Sequence, residues 1–521
     1  MKFRYFALTF LTATILSHSV QSQEITSEYI DALVETAFST SPNAGVAIAV
    51  VKDGKVIHAR GYGITSAETQ AAVDENTLFS IASNSKAFTT MALGMLVDEG
   101  KLNWTDRVID HIPEFKMYDS YVTEHFTILD LITHRSGLGL GAGDLMFIPD
   151  GSDFKIDDIL TSFQHQEPTS EFRTKYDYDN LLYIVAGEVI HRVSGLPWDE
   201  FIETRIMKPL GMERSAGYFE NLTTSENIAQ PHSVENGELL ELDTYLDPNK
   251  VFGAAGGIYA SVNDLSKWML MQLADGKYGA GQELVSAENH HEMWKAHTNI
   301  RFNAVPGAGY GSHYKAYGLG WFLEDQNGYT IVSHSGGMPG MLSQTILIPE
   351  LNAGVVVLTN CAPGGYSYYA LSHSIKDAII GAEGNDWIEM ANSWISGSNH
   401  EADSVVNHVW ETVKANKKHK INFRDFIGTY EDDWFGEVTI EDREGKLWFS
   451  SKRSPKLNGE MFFYQANTFA IKWEYEAMYC DAFALFTLDE FGVAQEITMK
   501  GISPDIDFSF DFQDLDFKRI K

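Results

Sequence analysis

The chain is poor in cysteine, with two in 521 residues, Cys361 and Cys480. Small exported domains that cannot bury a large core rely on several disulfides, so this count excludes a disulfide scaffold. Two cysteines allow only one pairing, which would be a single bridge between two domains.

Basic residues and long apolar runs are also scarce. The chain has 39 Lys and Arg against 72 Asp and Glu, a formal net charge of −33. Long-range repulsion then opposes binding to nucleic acid or to an anionic membrane surface. No run is long enough to span a bilayer, which argues against a transmembrane segment. The partner that we expect is a small-molecule or peptide substrate, and the oligomeric state is left open.

The first residues predict a secretory signal at 1–22. Lys2 and Arg4 form a charged start, residues 7–16 form a short apolar core, and residues 20–22 (VQS) form a small-residue cleavage site. No cysteine follows this core, which argues against a lipid anchor. We therefore expect an exported protein, periplasmic or secreted.

The remaining length predicts two domains. Residues 23–385 combine strands at both ends with helices between them, which indicates a mixed α/β (α+β) domain whose terminal segments share an antiparallel sheet. Residues 386–420 are polar and are predicted to be a linker. Residues 421–521 contain short strands separated by glycine-containing turns, which predicts an all-β antiparallel barrel.

A Ser-x-x-Lys tetrad at 83–86 (SNSK) is the strongest chemical signal. A serine hydroxyl needs a base to become a nucleophile, and residues three apart on a helix share a face, so Lys86 can reach Ser83. Two other Ser-x-x-Lys matches, at 152–155 and 312–315, lie in polar or glycine-rich stretches. Only the tetrad at 83–86 leads into an apolar helical stripe.

Two further patterns accompany this tetrad. Tyr178 and Asn180 precede a predicted helix, where a phenol could relay a proton and an amide could hold a substrate carbonyl. The segment 331–337 (IVSHSGG) predicts a strand whose glycines, Gly336 and Gly337, allow a substrate backbone to approach closely.

The ordered set Ser-x-x-Lys, Tyr-x-Asn and His-x-Gly resembles the serine β-lactamase and penicillin-binding-protein superfamily. The branch of class C β-lactamases, D-aminopeptidases and esterases is the most similar. Supporting phrases place the resemblance over roughly residues 27–382: TILDLITHRSGL (127–138), KPLGM (208–212), AGGIYAS (255–261) and YGLGW (317–321). The resemblance implies a β-lactamase-like domain with an antiparallel sheet flanked by helices.

The resemblance also implies roles for these residues. Ser83 would be the acylated nucleophile, while Lys86 and Tyr178 would share the general-base and general-acid work. Asn180 would orient the substrate amide or ester. The backbone N–H groups of Ser83 and Gly337 would form the oxyanion hole.

One departure from the family pattern concerns the substrate. Residues 334–336 read His-Ser-Gly where β-lactamases usually carry Lys-Thr-Gly. A lysine offers a permanent charge to a substrate carboxylate, whereas a histidine is only partly charged near neutral pH. His334 with Gly336 therefore favours peptidase or esterase chemistry over efficient β-lactam hydrolysis.

The C-terminal segment is similar to a lipocalin-like domain found after the catalytic domain in some of these hydrolases. The matching phrases are FIGTY (426–430), GEV (436–438) and GKL (445–447). Such a barrel could hold a ligand, cap the active site, mediate assembly or simply pack.

No cofactor or metal is predicted. The run 290–297 (HHEMWKAH) does not have the spacing of His-Glu-x-x-His, and a solvated helix is the expected account.

Three functions remain open at this point. The leading hypothesis is an exported serine hydrolase that forms an acyl-enzyme on D-amino-acid peptides or small esters, with β-lactams as further candidates. The second is a penicillin-binding-type protein or sensor that acylates or binds peptidoglycan fragments without efficient turnover. The third assigns the biological role to a ligand or partner of the barrel.

Overall fold

The computed structural model describes residues 25–40, 42–235, 237–302, 309–362, 366–419, 421–475 and 480–521. The predicted signal peptide at 1–22 lies outside the described residues. The helices within them are α1 Ser27–Thr40, α2 Ser85–Asp98, α3 Val108–His111, α4 Ser120–His125, α5 Ile128–Ile132, α6 Ile156–Ser162, α7 Leu181–Ser194, α8 Trp198–Ile202, α9 Lys208–Leu210, α10 Gly253–Gly256, α11 Val262–Leu273, α12 Ala287–Met293, α13 Tyr366–Ile380 and α14 Trp387–Ala415.

The strands fall into a large sheet, a barrel and three two-stranded pairs. In chain order they are β1 Gly45–Lys52, β2 Lys55–Gly63, β3 Phe79–Ser80, β4 His232–Glu235, β5 Glu238–Glu241, β6 Tyr259–Ala260, β7 Lys277–Tyr278, β8 Gln282–Glu283, β9 Thr298–Ile300, β10 Lys315–Tyr317, β11 Phe322–Gln326, β12 Tyr329–Met338, β13 Met341–Ile348, β14 Ala353–Thr359, β15 Gly428–Asp432, β16 Gly436–Arg443, β17 Lys446–Ser451, β18 Asn458–Gln465, β19 Thr468–Trp473, β20 Ala482–Leu488, β21 Ala494–Gly501 and β22 Asp516–Arg519.

The N-terminal domain is built on an antiparallel sheet in the order β2-β1-β14-β13-β12-β11-β10-β9. Strand β1 pairs with β14, with Val46 opposite Thr359, so the two ends of the domain share one sheet as predicted. Side chains alternate along β1: Val46 and Ile48 join the core beneath α1 and α13, whereas Ala47 and Ala49 join the core around α2. Helices therefore cover both faces, which confirms the predicted fold class.

Helix α2 differs from the expected amphipathic helix. Every residue from Ser85 to Leu96 is buried, polar ones included. A helix that is covered on all sides lies inside a large core and not at its surface, and α7, α10 and α12 surround this one. Lys86 is therefore placed in the domain interior at the start of α2.

The C-terminal domain is a closed antiparallel barrel in the order β15 through β22. Its ends meet where Tyr430 of β15 pairs with Arg519 of β22. Large aromatic side chains fill the interior, including Phe449, Phe469 and Phe517. The predicted all-β barrel is confirmed, although neither closing strand was predicted from the sequence.

The stretch predicted as a linker contains the long helix α14. Its first residue, Trp387, is buried in the core beneath the large sheet. Near its other end, Val409 packs against Ala470 and Ile502 of the barrel. The stretch 386–420 therefore joins the two domains through a packed helix.

The two domains also contact each other directly. The Arg453 guanidinium of the barrel donates to Asp158 at 2.9 and 2.8 Å and to Asp153 at 2.7 Å. It also lies 4.0 Å from the ring centroid of Phe154. Lys456 donates to Asp150 at 2.7 Å. One face of the barrel is therefore docked on residues 150–158.

Both cysteines are buried free thiols, so no bridge joins the domains. None of the helices in the described ranges has the length and apolarity that crossing a membrane requires.

Candidate active site

Ser83 lies in a short 3₁₀ turn, Ala82–Asn84, immediately before α2. The backbone of Ala82 has a positive φ of 45°, a strained conformation for a residue with a side chain. Strand β13 supports the turn, because the Ser343 hydroxyl donates to the Ile81 carbonyl at 2.7 Å and accepts from Asn84 Nδ2 at 2.8 Å. The nucleophile is thus presented on a rigid, strained turn.

Lys86 is fully buried beneath this turn. Its Nζ donates to Ser83 Oγ at 3.1 Å, to Asn180 Oδ1 at 2.7 Å and to the Ala255 carbonyl at 2.8 Å. Burial lowers the Lys86 pKa to about 7, although the carboxyl groups of Asp144 and Asp179 oppose that shift. A large fraction of Lys86 is then a neutral amine at physiological pH, which suits a general base.

Tyr178 completes the group around the nucleophile. Its ring centroid lies 4.8 Å from Lys86 Nζ, and the Ser83 side chain is near enough to act on the Tyr178 pKa, which it lowers. Burial raises the Tyr178 pKa well above its ordinary value of 10. The phenol therefore stays protonated and is equipped to donate a proton or a hydrogen bond.

Asn180 connects Lys86 to a buried carboxyl group. Its Oδ1 accepts from Lys86 Nζ, and its Nδ2 donates to Asp144 Oδ2 at 2.8 Å. The two contacts fix the orientation of the amide. One Nδ2 hydrogen is used in this way, which leaves the other for a substrate oxygen.

His334 lies in β12 behind Tyr178 and is buried. Its Nδ1 is 2.6 Å from the Ser335 carbonyl, which can only accept, so Nδ1 carries the proton. Its Nε2 accepts from the Tyr317 hydroxyl at 3.0 Å. Burial, with the nearby Lys86 charge, lowers the His334 pKa to about 3. The residue expected to be partly charged is therefore neutral.

Gly336 allows β12 to approach the nucleophile. A Cβ at this position would lie 2.2 Å from the Ile81 carbonyl oxygen and 2.9 Å from the Ser83 nitrogen. At Gly337 a Cβ would meet only Leu342, at 3.4 Å. The strand and the turn thus stand close enough for their backbone N–H groups to face one oxyanion, which is the role predicted for Ser83 and Gly337.

His134 is a site residue that the sequence analysis did not select. Its buried ring lies 4.3 Å from the ring of Tyr178 and 4.6 Å from that of Tyr317, centroid to centroid. Its Nδ1 accepts from the backbone N–H of Asp179 at 3.1 Å. The signal that could have identified His134 was the phrase TILDLITHRSGL at 127–138, a family motif that includes this histidine.

The structure brings the sequence-predicted residues together in one cleft: Ser83, Lys86, Tyr178, Asn180, His334, Gly336 and Gly337. It adds three groups from elsewhere in the chain, namely Asp144, His134 and Tyr317. Asp144 had no local signal, because it follows a glycine-rich turn and reaches the site only through Asn180.

The histidine run at 290–297 has a structural role. His290 in α12 is buried, not solvated, and its Nε2 contacts Gln272 Oε1 at 2.9 Å. Asp275, His290 and His291 bring possible ligand atoms within 4.8 Å of one another, but two of the three residues are exposed. Exposed groups of this kind are common without an ion, so the cluster gives no reason to assign a metal.

A serine beside a buried lysine of lowered pKa and a protonated tyrosine is a combination that suits covalent acyl transfer. The Beta-lactamase family model matches residues 30–377, more than half of the chain, so this chain belongs to that family. A domain of unknown function (DUF3471) matches residues 412–519, which include the barrel.

Two curated relatives illustrate the family. Protein flp of Staphylococcus aureus (strain MRSA252) is 28% identical over 343 residues, which cover 64% of this chain and 62% of that protein. Unguisins hydrolase ungD' of Aspergillus campestris (strain IBT 28561) is 27% identical over 379 residues, covering 71% of this chain and 68% of the relative. The chain thus spans about two thirds of the length of these relatives.

Two solved structures share the fold. The octameric penicillin-binding protein homologue from Pyrococcus abyssi covers 95% of this chain and 100% of its own, with a TM-score of 0.60 and 20% identity. The D-amino acid amidase from Ochrobactrum anthropi SV3, complexed with L-phenylalanine amide, covers 68% and 97%, with a TM-score of 0.56 and 21% identity. The first likeness extends over both domains.

Proposed function

We propose that this protein is an exported serine hydrolase that cleaves amide or ester bonds through an acyl-enzyme. D-amino-acid peptides and small neutral esters are the proposed substrates. The observation that supports this most directly is the contact of Ser83 Oγ with Lys86 Nζ, whose pKa is lowered to about 7. Family membership and the hydrolase activity named for two of the similar proteins agree with this proposal.

Lys86 is the proposed general base. Neutral Nζ accepts the hydroxyl proton as Ser83 Oγ bonds to the substrate carbonyl carbon, and the carbonyl π electrons move to oxygen. When the tetrahedral intermediate collapses, the carbon–leaving-group bond breaks and the leaving group takes the proton from Lys86, directly or relayed through the Tyr178 hydroxyl. Water then attacks the ester carbonyl and gives a proton to neutral Lys86, which returns it to Ser83 Oγ as the carbon–Oγ bond breaks. Tyr178 is a poor base, because its raised pKa keeps the phenol protonated.

His334 supports the choice of substrates. A neutral imidazole held by Tyr317 offers no positive charge to a carboxylate. The acidic groups that act on Lys86 are Asp144 and Asp179, and burial raises the pKa of Asp144 well above its usual range and that of Asp179 to about 7. Substrates without a carboxylate beside the scissile bond fit this electrostatic environment, which disfavours β-lactams.

The test compares the mature protein with Ser83→Ala on nitrocefin, p-nitrophenyl acetate and butyrate, and D-alanine p-nitroanilide. Mass spectrometry follows acylation in parallel. We expect Ser83-dependent turnover of the esters or the D-alanine amide, with little turnover of nitrocefin. Labelling of Ser83→Ala by an active-serine probe to the wild-type level would exclude the mechanism. Stable acylation without turnover would instead identify a penicillin-binding-type sensor.

A further inference from the structure

The connection between β21 and β22, residues 502–515, reaches the active site from the barrel; we call it the barrel loop. The ring of Phe508 meets the ring of Tyr178 edge-on, with centroids 5.8 Å apart. The Phe508 backbone packs so closely on Gly141 that a Cβ there would lie 2.7 Å from the Phe508 carbonyl oxygen. Phe508 is still 39% exposed, so it faces solvent while it contacts Tyr178, which lies beside Ser83.

Two other side chains of the barrel loop hold the turn that carries Asp144. The Ser509 hydroxyl donates to Asp144 Oδ2 at 2.8 Å. The Asp511 carboxylate accepts from the backbone N–H of Gly143 at 2.7 Å and from that of Leu145 at 3.0 Å. Asp144 and Asp511 are both fully buried. Without the loop, these polar groups would lose their partners in the interior.

The contacts continue from the barrel loop to the general base. Asp144 Oδ2 accepts from Ser509 and also from Asn180 Nδ2, at 2.8 Å in each case. Asn180 Oδ1 in turn accepts from Lys86 Nζ at 2.7 Å. A hydrogen-bonded path thus runs from the C-terminal barrel to the lysine beside the nucleophile, and every contact in it is shorter than 3.0 Å.

We propose that the barrel completes the active site: Ser509 and Asp511 are positioning residues that hold Asp144, Asn180 and Lys86 in register, and Phe508 forms a wall of the substrate cleft. This inference rests on the proposed function, since it assigns Lys86 the role of base. A barrel that merely packed against the catalytic domain would have no reason to place polar groups in contact with Asp144.

The first test removes the Ser509 hydroxyl in the full-length protein. Ser509 does not touch substrate, so Ser509→Ala should lower kcat and kcat/KM equally, by roughly tenfold, with KM close to the wild-type value. Ser509→Thr keeps a hydroxyl donor and should restore most of the rate. The matched control is Ser450→Ala, which removes a hydroxyl that pairs with Asn458 inside the barrel, and it should keep wild-type kinetics.

A second variant separates an effect on the active site from a loss of folding. Asp511→Asn keeps the size of the side chain but retains an acceptor for only one of the two backbone N–H groups. We expect Asp511→Asn to lower kcat on p-nitrophenyl butyrate, as Ser509→Ala does. Its far-ultraviolet circular dichroism at the assay temperature should match that of the wild type. Wild-type kcat in both Ser509→Ala and Asp511→Asn overturns the positioning role.

The third test concerns the wall of the cleft. Phe508→Ala should change the ratio of kcat/KM for p-nitrophenyl butyrate over acetate by about threefold or more, because an apolar contact to the longer acyl chain is lost. Phe491→Ala is the matched control, since Phe491 is 83% exposed in the turn between β20 and β21. An unchanged ratio in Phe508→Ala overturns its place in the wall.

Labelling by a fluorophosphonate probe separates the two proposals. If wild-type Ser83 is labelled and esters are hydrolysed, but Ser509→Ala and Asp511→Asn both behave as wild type, the positioning role is wrong and the proposed function stands. A loss of rate that Ser509→Thr fails to restore also overturns the positioning role. If wild-type Ser83 is neither labelled nor required for turnover, both proposals are wrong.

Discussion

At the scale of single residues, the decisive property of this site is the position of Lys86 inside the protein. The side chain is removed from water, and an ammonium ion in that environment is disfavoured, so its pKa falls to about 7. His334 experiences the same burial and is neutral. The catalytic domain thus holds a titratable base and an uncharged histidine within one cleft.

The first prediction is the pH dependence of the esterase rate. A neutral Lys86 is required, so kcat/KM should be low below pH 7 and should rise as the pH passes through about 7. Asp179 is a buried neighbour whose negative charge raises the Lys86 pKa. Asp179→Asn should therefore shift this rise in kcat/KM to lower pH, as measured by initial rates between pH 5 and about 9.

Two results would contradict this assignment. One is a rise in kcat/KM that stays at the same pH in Asp179→Asn, and the other is a rise that moves to higher pH. Either result would show that a group other than Lys86 governs the rise in kcat/KM. Lys86→Arg is the companion variant, since a guanidinium stays charged and should be inactive throughout this range.

At the scale of elements, the site depends on how closely strand β12 approaches the 3₁₀ turn that carries Ser83. This approach requires the absence of a side chain at Gly336, where a Cβ would overlap the Ile81 carbonyl. Local sequence showed that glycines lay in the strand. It did not show which backbone they would face, because that neighbour lies far away in the chain.

The second prediction concerns Gly336→Ala. The added methyl group should push β12 away from the turn and displace a donor of the oxyanion hole, so kcat should fall by a factor of about 10²–10³. Gly309→Ala is the control, since a Cβ at Gly309 would meet nothing within 4 Å. Ester assays with thermal melts measure both variants. A Gly336→Ala protein with wild-type kcat would show that β12 does not contribute to the oxyanion hole.

Secondary structure was predictable where the apolar pattern was strong. The hairpin of β1 and β2 is an example, since Asp53 and Gly54 are typical hairpin-turn residues between two segments rich in apolar residues. Strands β15 and β22 were missed because they are short and gain their stability by pairing with each other at the closure of the barrel. Helix α14 was described as a linker because polar and glycine residues weaken its pattern, while packing at Trp387 and Val409 stabilises it.

At the scale of the whole molecule, the two domains are joined by direct contacts and by a shared core. The barrel contacts residues 150–158 through Arg453 and reaches the active site through residues 502–515. Some of the buried apolar residues of both domains belong to a single connected core. We therefore expect that loss of the barrel's contacts affects the catalytic domain.

The third prediction is that the wild-type protein unfolds in one cooperative calorimetric transition that coincides with loss of activity. Arg453→Ala removes hydrogen bonds to Asp158 and Asp153 and should lower the free energy of unfolding by about 1 kcal/mol, a value reduced for their partial exposure. In that variant activity should be lost together with the barrel, but at a lower temperature than in the wild-type protein.

The control for this prediction is Arg443→Ala. Arg443 pairs with Glu441 within the barrel and lies over Trp448, so its loss should leave the temperature of activity loss close to the wild-type value. Two well-separated transitions in the wild-type protein would contradict the prediction, because they would show that the domains unfold independently.

The sequence by itself predicted Ser83, Lys86, Tyr178 and Asn180 as the candidate site, because spacing on a helix and motif order are local properties. It also predicted a mixed domain followed by a barrel, because the sequence pattern of a strand can be recognised even in a short segment. Only the tertiary structure decided the pKa of Lys86, the neutrality of His334 and the arrival of Ser509 beside Asp144. These depend on burial and on contacts between residues hundreds of positions apart, which no local pattern encodes.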